Sequence, residues 1–329
     1  VETKTQVTKT EVEPFGLRLD LPHDTVKQNN LIYNYLKGAS LAQSAFSRCA
    51  QGDTFKSYVT PDNIKNRIDD FLNRFGFDSE KELKNFLNGA KVLADLGSGP
   101  GIYVQWLARL FTDKMVVSLD SSEMLPAFDR HFGRLTNATL ILADLDQALP
   151  FYEESLDFVI MDYVLSHVNQ PLDVLAQVAD KISGRGILAV SFSLEQSCLR
   201  TLSDNYLRSV YARDQKQADA LAAEMTSLAR ELDELGLTFS LKNTYPNLGI
   251  EAGELSLQRF IYHYFLKCFW NGDQAYSLKR NRNNFTYPWR LFKPDEALSM
   301  LRGHFEILSQ HKDRSTLSIL ARKKSTREA

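Results

Sequence analysis

Apolar positions along this chain change period twice, and the changes divide it. Residues 1–23, rich in Thr, Lys and Glu as far as Pro14, carry few apolar side chains and read as an N-terminal tail. From Asp24 to about Asn88 the spacing is helical. Leu31, Ile32, Tyr35 and Leu36 recur at three- and four-residue intervals, as do Ile64, Ile68, Phe71, Leu72 and Phe75. Asp78-Ser79 opens a further short helix with Leu83, Phe86 and Leu87 on one face, and Asn88-Gly89 closes it. Residues 24–90 are therefore expected to form a helical lid.

Short apolar runs then replace the helical spacing. Lys91–Leu96, Met115–Leu119, Thr139–Ala143, Leu156–Met161 and Gly186–Phe192 are strand candidates separated by helix-length segments, beginning with Tyr103–Phe111. Such alternation is the signature of a parallel sheet covered on both faces. Residues 91–194 are the expected α/β core. After Phe192 the alternation stops. Leu221, Met225, Leu228, Leu232 and Leu235 step by four and three along a long helix ended by Gly236, and a second helix is expected from about Gly253 to Trp270. The sheet pattern returns in residues 291–329, with a helix near Pro294–Arg302 and strands at Phe305–His311 and Ser315–Arg322 around a Lys312-Asp313-Arg314 turn. Residues 195–290 thus read as a helical insertion, in the place of a substrate lid. The expected fold is doubly wound and Rossmann-like: a mostly parallel seven-stranded sheet with an antiparallel C-terminal hairpin, a helical N-terminal extension and a helical insertion.

Composition narrows the function classes. The 329 residues are 43% hydrophobic with a net charge of −2, enough for a large core and too balanced for a broad nucleic-acid or anionic-membrane footprint. No run of about 18 apolar residues offers a membrane span, and no leader pattern is visible. Cys49, Cys198 and Cys268 are widely separated and form no CxxC, which gives neither a disulfide framework nor a metal site and fits a cytoplasmic protein.

The chemistry concentrates at the strand ends. Ala94–Gly101 reads ADLGSGPG, a glycine turn with GxGxG spacing where a backbone can approach a ligand closely. The dinucleotide fingerprint wants its third glycine where this chain has Ile102, and no GK[ST] makes a phosphate loop. Four further motifs follow in order: LDSSEML at Leu119–Leu125, ADLDQALPF at Ala143–Phe151, LDFVIMDYVLSHV at Leu156–Val168 and the glycine turn Ser183–Gly186. Together they resemble class I S-adenosylmethionine-dependent methyltransferases, in particular the small-molecule group that includes ubiquinone and menaquinone biosynthesis enzymes.

The resemblance implies S-adenosylmethionine as cofactor, with Gly97, Ser98, Gly99 and Gly101 beside its methionine and ribose parts. Asp95 would lie under the loop, where it could accept hydrogen bonds from loop N–H groups or from the cofactor ammonium. Asp120, with Ser121 next to it, would accept from the ribose diol and Asp144 from the adenine amine. Met124 and Leu145 would pack on the adenine, and Met161 and Asp162 would border the sulfonium. No metal is implied.

An oxygen or carbon nucleophile usually needs a base. His167, on the segment leaving the fourth strand, is the first candidate and His263 in the insertion the second; Tyr58 and Lys56 could close over the cofactor. Lys279, Arg280 and Arg282 precede Phe285, Tyr287 and Trp289, a basic-aromatic cluster suited to an acidic substrate or a nucleic-acid strand. The expected activity is methylation of an O, N or C atom of a small-molecule metabolite or natural product. Methylation of RNA or protein is the alternative, as is a non-catalytic scaffold binding partners through the Leu221–Leu235 stripe. The insertion is also the expected contact of a homodimer.

Overall fold

The computed structural model describes residues 4–6, 10–12, 17–20, 26–28, 32–34, 59–121, 135–211, 214–286 and 290–325. The chain forms two units: Val1–Ser193 together with Phe292–Ala329, and Leu194–Leu291.

The first unit is built on a sheet whose central strands are continuous apolar runs because both faces are covered. Strands β6 (Val92–Leu96) and β8 (Ala138–Leu142) are buried along their whole length, and β7 (Met115–Asp120) at every residue before Asp120. With β9 (Leu156–Asp162) and β10 (Ile182–Ser193) they pair in parallel in the order β8-β7-β6-β9-β10. The hairpin β13 (Phe305–Lys312) and β14 (Thr316–Lys323) adds two antiparallel strands, β14 against β10. Its turn is held by Asp313, whose carboxylate accepts from the Ser315 and Thr316 N–H groups at 2.6 and 2.7 Å. These seven strands are the expected sheet.

The N-terminal expectation needs correction. β1 (Lys4–Gln6), β4 (Val26–Gln28) and β5 (Ile32–Asn34) extend the sheet to ten strands in the order β1-β4-β5-β8, with β5 parallel to β8 and Ile32 opposite Leu140. β2 (Thr10–Val12) and β3 (Arg18–Asp20) form a separate ribbon. Residues 1–23 are thus not a featureless tail, nor are residues 24–90 wholly helical. Around Ile32 the apolar residues fit an alternation as well as a helix, and Ile and Tyr favour the strand. Leu31, Tyr35 and Leu36 lie outside the described residues.

Helices do occupy the later part of that segment. α1 (Pro61–Phe75) starts at the Thr60 cap, whose hydroxyl accepts from Asn63 N–H at 3.3 Å, and ends at Gly76 with φ of 80°. α2 (Glu80–Phe86) follows. The Phe71 ring of α1 lies 4.6 Å from Phe75, and 5.1 and 5.5 Å from Tyr103 and Trp106 of α3 (Ile102–Leu110). This aromatic packing sets α1 against α3 beside the glycine loop. α4 (Pro171–Lys181) precedes β10.

The second unit contains α5 (Cys198–Tyr211), α6 (Gln215–Glu234), a ribbon of β11 (Thr238–Leu241) and β12 (Gly253–Ser256), α7 (Leu257–Tyr264) and α8 (Gln274–Thr286). The helix expected over Gly253–Trp270 is therefore divided. Gly253 has φ of 138° in the ribbon, and the Ser256 hydroxyl caps α7 by accepting from Arg259 N–H at 3.2 Å. α6 buries Ala218, Ala222, Met225 and Ala229 around Cys268, with Leu221 and Leu232 packed against them; Leu228 and Leu235 stay exposed. The leucine stripe mainly serves this small core. Small residues let the helices approach closely, and Asn281 of α8 donates to Thr226 Oγ1 at 2.9 Å between them.

The chain re-enters the first unit where it left it. Phe292 N–H donates to the Ser193 carbonyl at 2.9 Å, and the Phe292 ring meets Phe192 edge-on at 5.2 Å. α9 (Pro294–Arg302) then leads to the hairpin.

Candidate functional site

Parallel register brings the carboxyl ends of β6, β7, β8 and β9 together. Asp95 pairs in register with Ser118 and Ile160, Asp120 with Leu142, and Asp162 with Ser191. Between β6 and α3 the chain turns through Gly97, Gly99 and Gly101, with φ of 81°, 52° and 74°, a left-handed path that side chains resist. The glycines have different reasons to be there. A Cβ on Gly97 would lie 2.4 Å from a methyl carbon of Val164, so packing demands this glycine. One on Gly99 would meet nothing within 4 Å, which leaves an open cradle. Gly101 caps α3.

Asp120 Oδ2 accepts from Gly99 N–H at 2.7 Å and ties the loop to the end of β7. Ser98 turns inward, its hydroxyl 2.6 Å from Ser118 Oγ, so its side chain shapes the loop from beneath. Ser121 follows β7 half-buried; Met124 lies outside the described residues. Asp144 Oδ1 accepts from Asp146 N–H at 3.0 Å in the turn after β8, next to buried Leu145. Met161 is fully buried in β9.

Asp95 is 2% exposed, and among the described residues its Oδ2 has no hydrogen-bond partner. Burial first, and then the charges of Asp162 and Asp120, push its carboxyl well above the usual carboxylate range against the pull of Arg67. A buried acceptor of this kind costs stability until a donor reaches it.

Asp162 is the opposite case. Arg74 clasps it with both terminal nitrogens, each at 3.0 Å; Tyr103 Oη donates to it at 2.7 Å, and Ser191 Oγ donates as well. Arg67 Nη1 stands 3.8 Å away. Burial raises this acid, but Arg74, Ser191 and Arg67 outweigh burial and hold it below the usual range. Arg74 itself is 4% exposed and also bonds Asp70 at 2.7 Å and Ser318 at 3.0 Å. Asp162 was expected to border the sulfonium; its carboxylate is instead committed to an anchor joining α1, α3, β9, β10 and β14. Arg74, Arg67, Tyr103 and Ser191 were not singled out from the sequence. The available signal was an arginine on the apolar face of α1, between Phe71 and Phe75.

After Asp162 comes Tyr163 with φ of 61°, a left-handed conformation rare for a bulky residue. Its N–H donates to Ser191 Oγ at 3.0 Å, and its hydroxyl lies 3.0 Å from Thr316 Oγ1. His167 closes the 3-10 turn Val164–Ser166, half-buried, its N–H donating to the Val164 carbonyl at 2.9 Å. Asn169 beyond it is clamped by Asp146, which accepts its N–H at 2.9 Å. His263 belongs to the second unit, on α7, with its ring edge-on to Tyr262 and Tyr264. Tyr58 and Lys56 fall outside the described residues, as do Tyr287 and Trp289. Among the described residues no helix is long and apolar enough to cross a membrane, and no cluster of His, Cys, Asp and Glu could hold a metal ion.

Comparison with known proteins bears on the same segment. A family described as "Methyltransferase domain" matches residues 94–190. Malonyl-[acyl-carrier protein] O-methyltransferase of Marinomonas sp. (strain MWYL1) is 27% identical over 162 residues, covering 46% of this chain and 59% of that protein. Trans-aconitate 2-methyltransferase of Yersinia pestis (strain Pestoides F) is 27% identical over 153 residues, covering 45% and 57%. The chain thus spans less than three fifths of the length of these curated relatives. A solved structure, the PH0226 protein of Pyrococcus horikoshii OT3, superposes with a TM-score of 0.46 at 13% identity, covering 84% of this chain and 98% of that one. The match makes residues 94–190 similar to a methyltransferase domain, and that segment holds the glycine turn and the strand-end acids Asp95, Asp120, Asp144 and Asp162.

Proposed function

We propose that this protein transfers a methyl group from S-adenosylmethionine to an O, N or C atom of a small-molecule acceptor. The observation that carries this reading is Asp95: a buried carboxylate oxygen without a donor, beneath a glycine loop whose middle glycine faces open space. The cofactor's ammonium is a donor of the required charge, so the residues present fit the group. Asp95 would hold that ammonium and Asp120 the ribose diol, a bidentate match that a neutral residue makes less strongly. Asp144 and Leu145 would receive the adenine.

The bound cofactor supplies a methyl already activated by its sulfonium. The chain's own contribution is to align the acceptor and exclude water. His167, leaving β9 on the same edge of the sheet, would take a proton from an oxygen or carbon nucleophile. The name of one relative, for trans-aconitate, supports an acceptor among small metabolites, and that of the other, for malonyl-[acyl-carrier protein], a small acyl group borne on a carrier.

Calorimetry with S-adenosylmethionine tests the cofactor directly. Asp120→Ala should weaken binding by roughly 10–100-fold, the worth of a charged hydrogen bond of about 1.5–3 kcal/mol, while the circular dichroism spectrum stays unchanged. Equal affinity in variant and wild type would refute the assignment. Radiolabelled methyl transfer to fractionated extracts should then label small molecules, and label appearing in polymers would instead favour RNA or protein as acceptor.

A further inference from the structure

Two arginines of α1 approach Asp162, and the anchor described above uses only one of them. Arg74 clasps the carboxylate with both terminal nitrogens. Arg67, two helical turns earlier on the same side of α1, stands with Nη1 3.8 Å from Asp162 Oδ2, beyond hydrogen-bond reach. That carboxylate has no acceptor capacity to spare. Its Oδ1 accepts from Arg74 Nη1 and Ser191 Oγ, and its Oδ2 from Arg74 Nη2 and Tyr103 Oη. The Tyr103 hydroxyl oxygen draws Arg67 as well, but a single oxygen cannot occupy both arms of a guanidinium fork. Among the described residues no other acceptor takes the remaining N–H groups of Arg67.

Exposure separates the two arginines: 45% of the Arg67 side chain faces solvent, against 3% for Arg74 and for Asp162. The helix that carries Arg67 is nevertheless fixed. Phe71, one turn on, packs 5.1 Å from the Tyr103 ring, and Arg74 ties α1 to β9 and β14.

Parallel register relates this guanidinium to Asp95. Asp95 lies opposite Ile160, so Asp162 projects from the same face of the sheet, two residues farther along the neighbouring strand. Strand spacing and rise put the two backbones on the order of 8 Å apart. Both acids lie at the edge where the chain turns through Gly97 and Gly99. Of the charges that act on Asp95, Arg67 is the one that favours its ionised form. One stretch of sheet edge thus holds a buried acceptor suited to an ammonium and a solvent-reaching fork suited to a carboxylate. An α-amino acid carries both groups on one carbon.

We propose that Arg67 determines specificity within the cofactor site: its guanidinium receives the α-carboxylate of the amino-acid end whose ammonium Asp95 takes. The inference rests on the S-adenosylmethionine reading above and deepens it, since the two side chains together select a zwitterion. The Arg74–Asp162 anchor then has a second consequence, because a carboxylate already filled by Arg74 cannot capture Arg67.

The test is calorimetry on the full chain with two probes. One is S-adenosylmethionine; the other is its decarboxylated form, which keeps the adenosine, the sulfonium and the ammonium but lacks the carboxylate. Wild type should bind S-adenosylmethionine about tenfold more tightly than the decarboxylated probe, the effect of roughly 1.4 kcal/mol. Arg67→Gln should erase that preference, weakening S-adenosylmethionine about tenfold and the decarboxylated probe by less than about twofold. Arg67→Lys should keep part of it, because a point charge replaces the fork. An indirect effect through Asp95 would weaken both probes alike, since both carry the ammonium. Equal losses for the two probes would therefore overturn the proposal, as would unchanged affinity in Arg67→Gln or a wild type that does not discriminate. Circular dichroism shows whether Arg67→Gln is folded; if it is not, wild type against Arg67→Lys gives the same comparison. Wild type that binds neither probe would remove the cofactor reading itself, and this inference with it.

Discussion

At the scale of single residues, two carboxylates on one sheet edge behave in opposite ways because of what their oxygens meet. Asp162 is met by Arg74, Tyr103 and Ser191 and remains charged. Asp95 has an oxygen that no donor among the described residues reaches, and its carboxyl is pushed well up. The sign of the consequence follows from linkage. An acid whose folded pKa exceeds its unfolded value of 3.8 holds its proton longer in the native state, so stability falls as pH rises above 3.8 toward the raised value. Asn mimics the protonated form. Asp95→Asn should therefore raise the thermal midpoint of the cofactor-free protein at pH 7, with the gain shrinking toward pH 4. It should also lose most of the further stabilisation that S-adenosylmethionine gives the wild type. Thermal scans at two pH values, with and without cofactor, check both halves; a destabilised variant at pH 7 without cofactor would contradict this account of Asp95. The sequence could place Asp95 at a strand end, since ADLGSGPG is local. It could not show how far its carboxyl is pushed up, because that depends on burial and on charges as distant in sequence as Asp162 and Arg67.

At the scale of elements, legibility follows how each one is stabilised. The five parallel strands stood out because burial on both faces forces unbroken apolar runs such as Val92–Leu96. α1 was legible from its apolar face, yet Arg74 on that face is defined by Asp162 of β9 and Ser318 of β14, and no local pattern announces such partners. β5 was misread because few apolar positions fit two periods. In the second unit the spacing that predicts one helix over Gly253–Trp270 spans one ribbon strand and a short helix; turn glycines such as Gly253 are weak punctuation inside an apolar stretch. Arg74 supports a prediction at this scale, since it ties α1 to β9 and β14. Arg74→Ala leaves Asp162 buried without its main counter-charge and should cost about 3–5 kcal/mol in urea unfolding. Arg74→Lys should recover only part of this, because an ammonium cannot span both oxygens. The double variant Arg74→Leu/Asp162→Asn should be more stable than Arg74→Ala, since it removes the stranded charge along with its partner. A loss below about 1 kcal/mol in Arg74→Ala, the range of a surface ion pair, would mean that the anchor is not structural.

At the scale of the whole molecule, each unit has its own core. One is drawn from residues such as Phe71, Leu93, Trp106 and Phe158, the other from Ala222, Met225 and Cys268. The chain leaves the first unit at Ser193 and returns at Phe292, where N–H and carbonyl are 2.9 Å apart. Nothing in the sheet requires the intervening chain to be long, because β10, α9 and β14 are positioned by contacts within the first unit, and a short connection costs less closure entropy than a long one. Replacing Leu194–Leu291 by a few Gly and Ser residues should therefore leave a folded α/β protein. Its affinity for S-adenosylmethionine should stay within about tenfold of the full chain, a change of roughly 1.4 kcal/mol, because Asp95, Gly99 and Asp120 all belong to the unit that remains. Cooperative thermal unfolding and a titration with cofactor give the result. A deletion protein that folds but does not bind the cofactor would contradict the placement of its site in the first unit. One that does not fold would show that the sheet draws stability from the second unit, and that two separate cores do not here make two independent folding units.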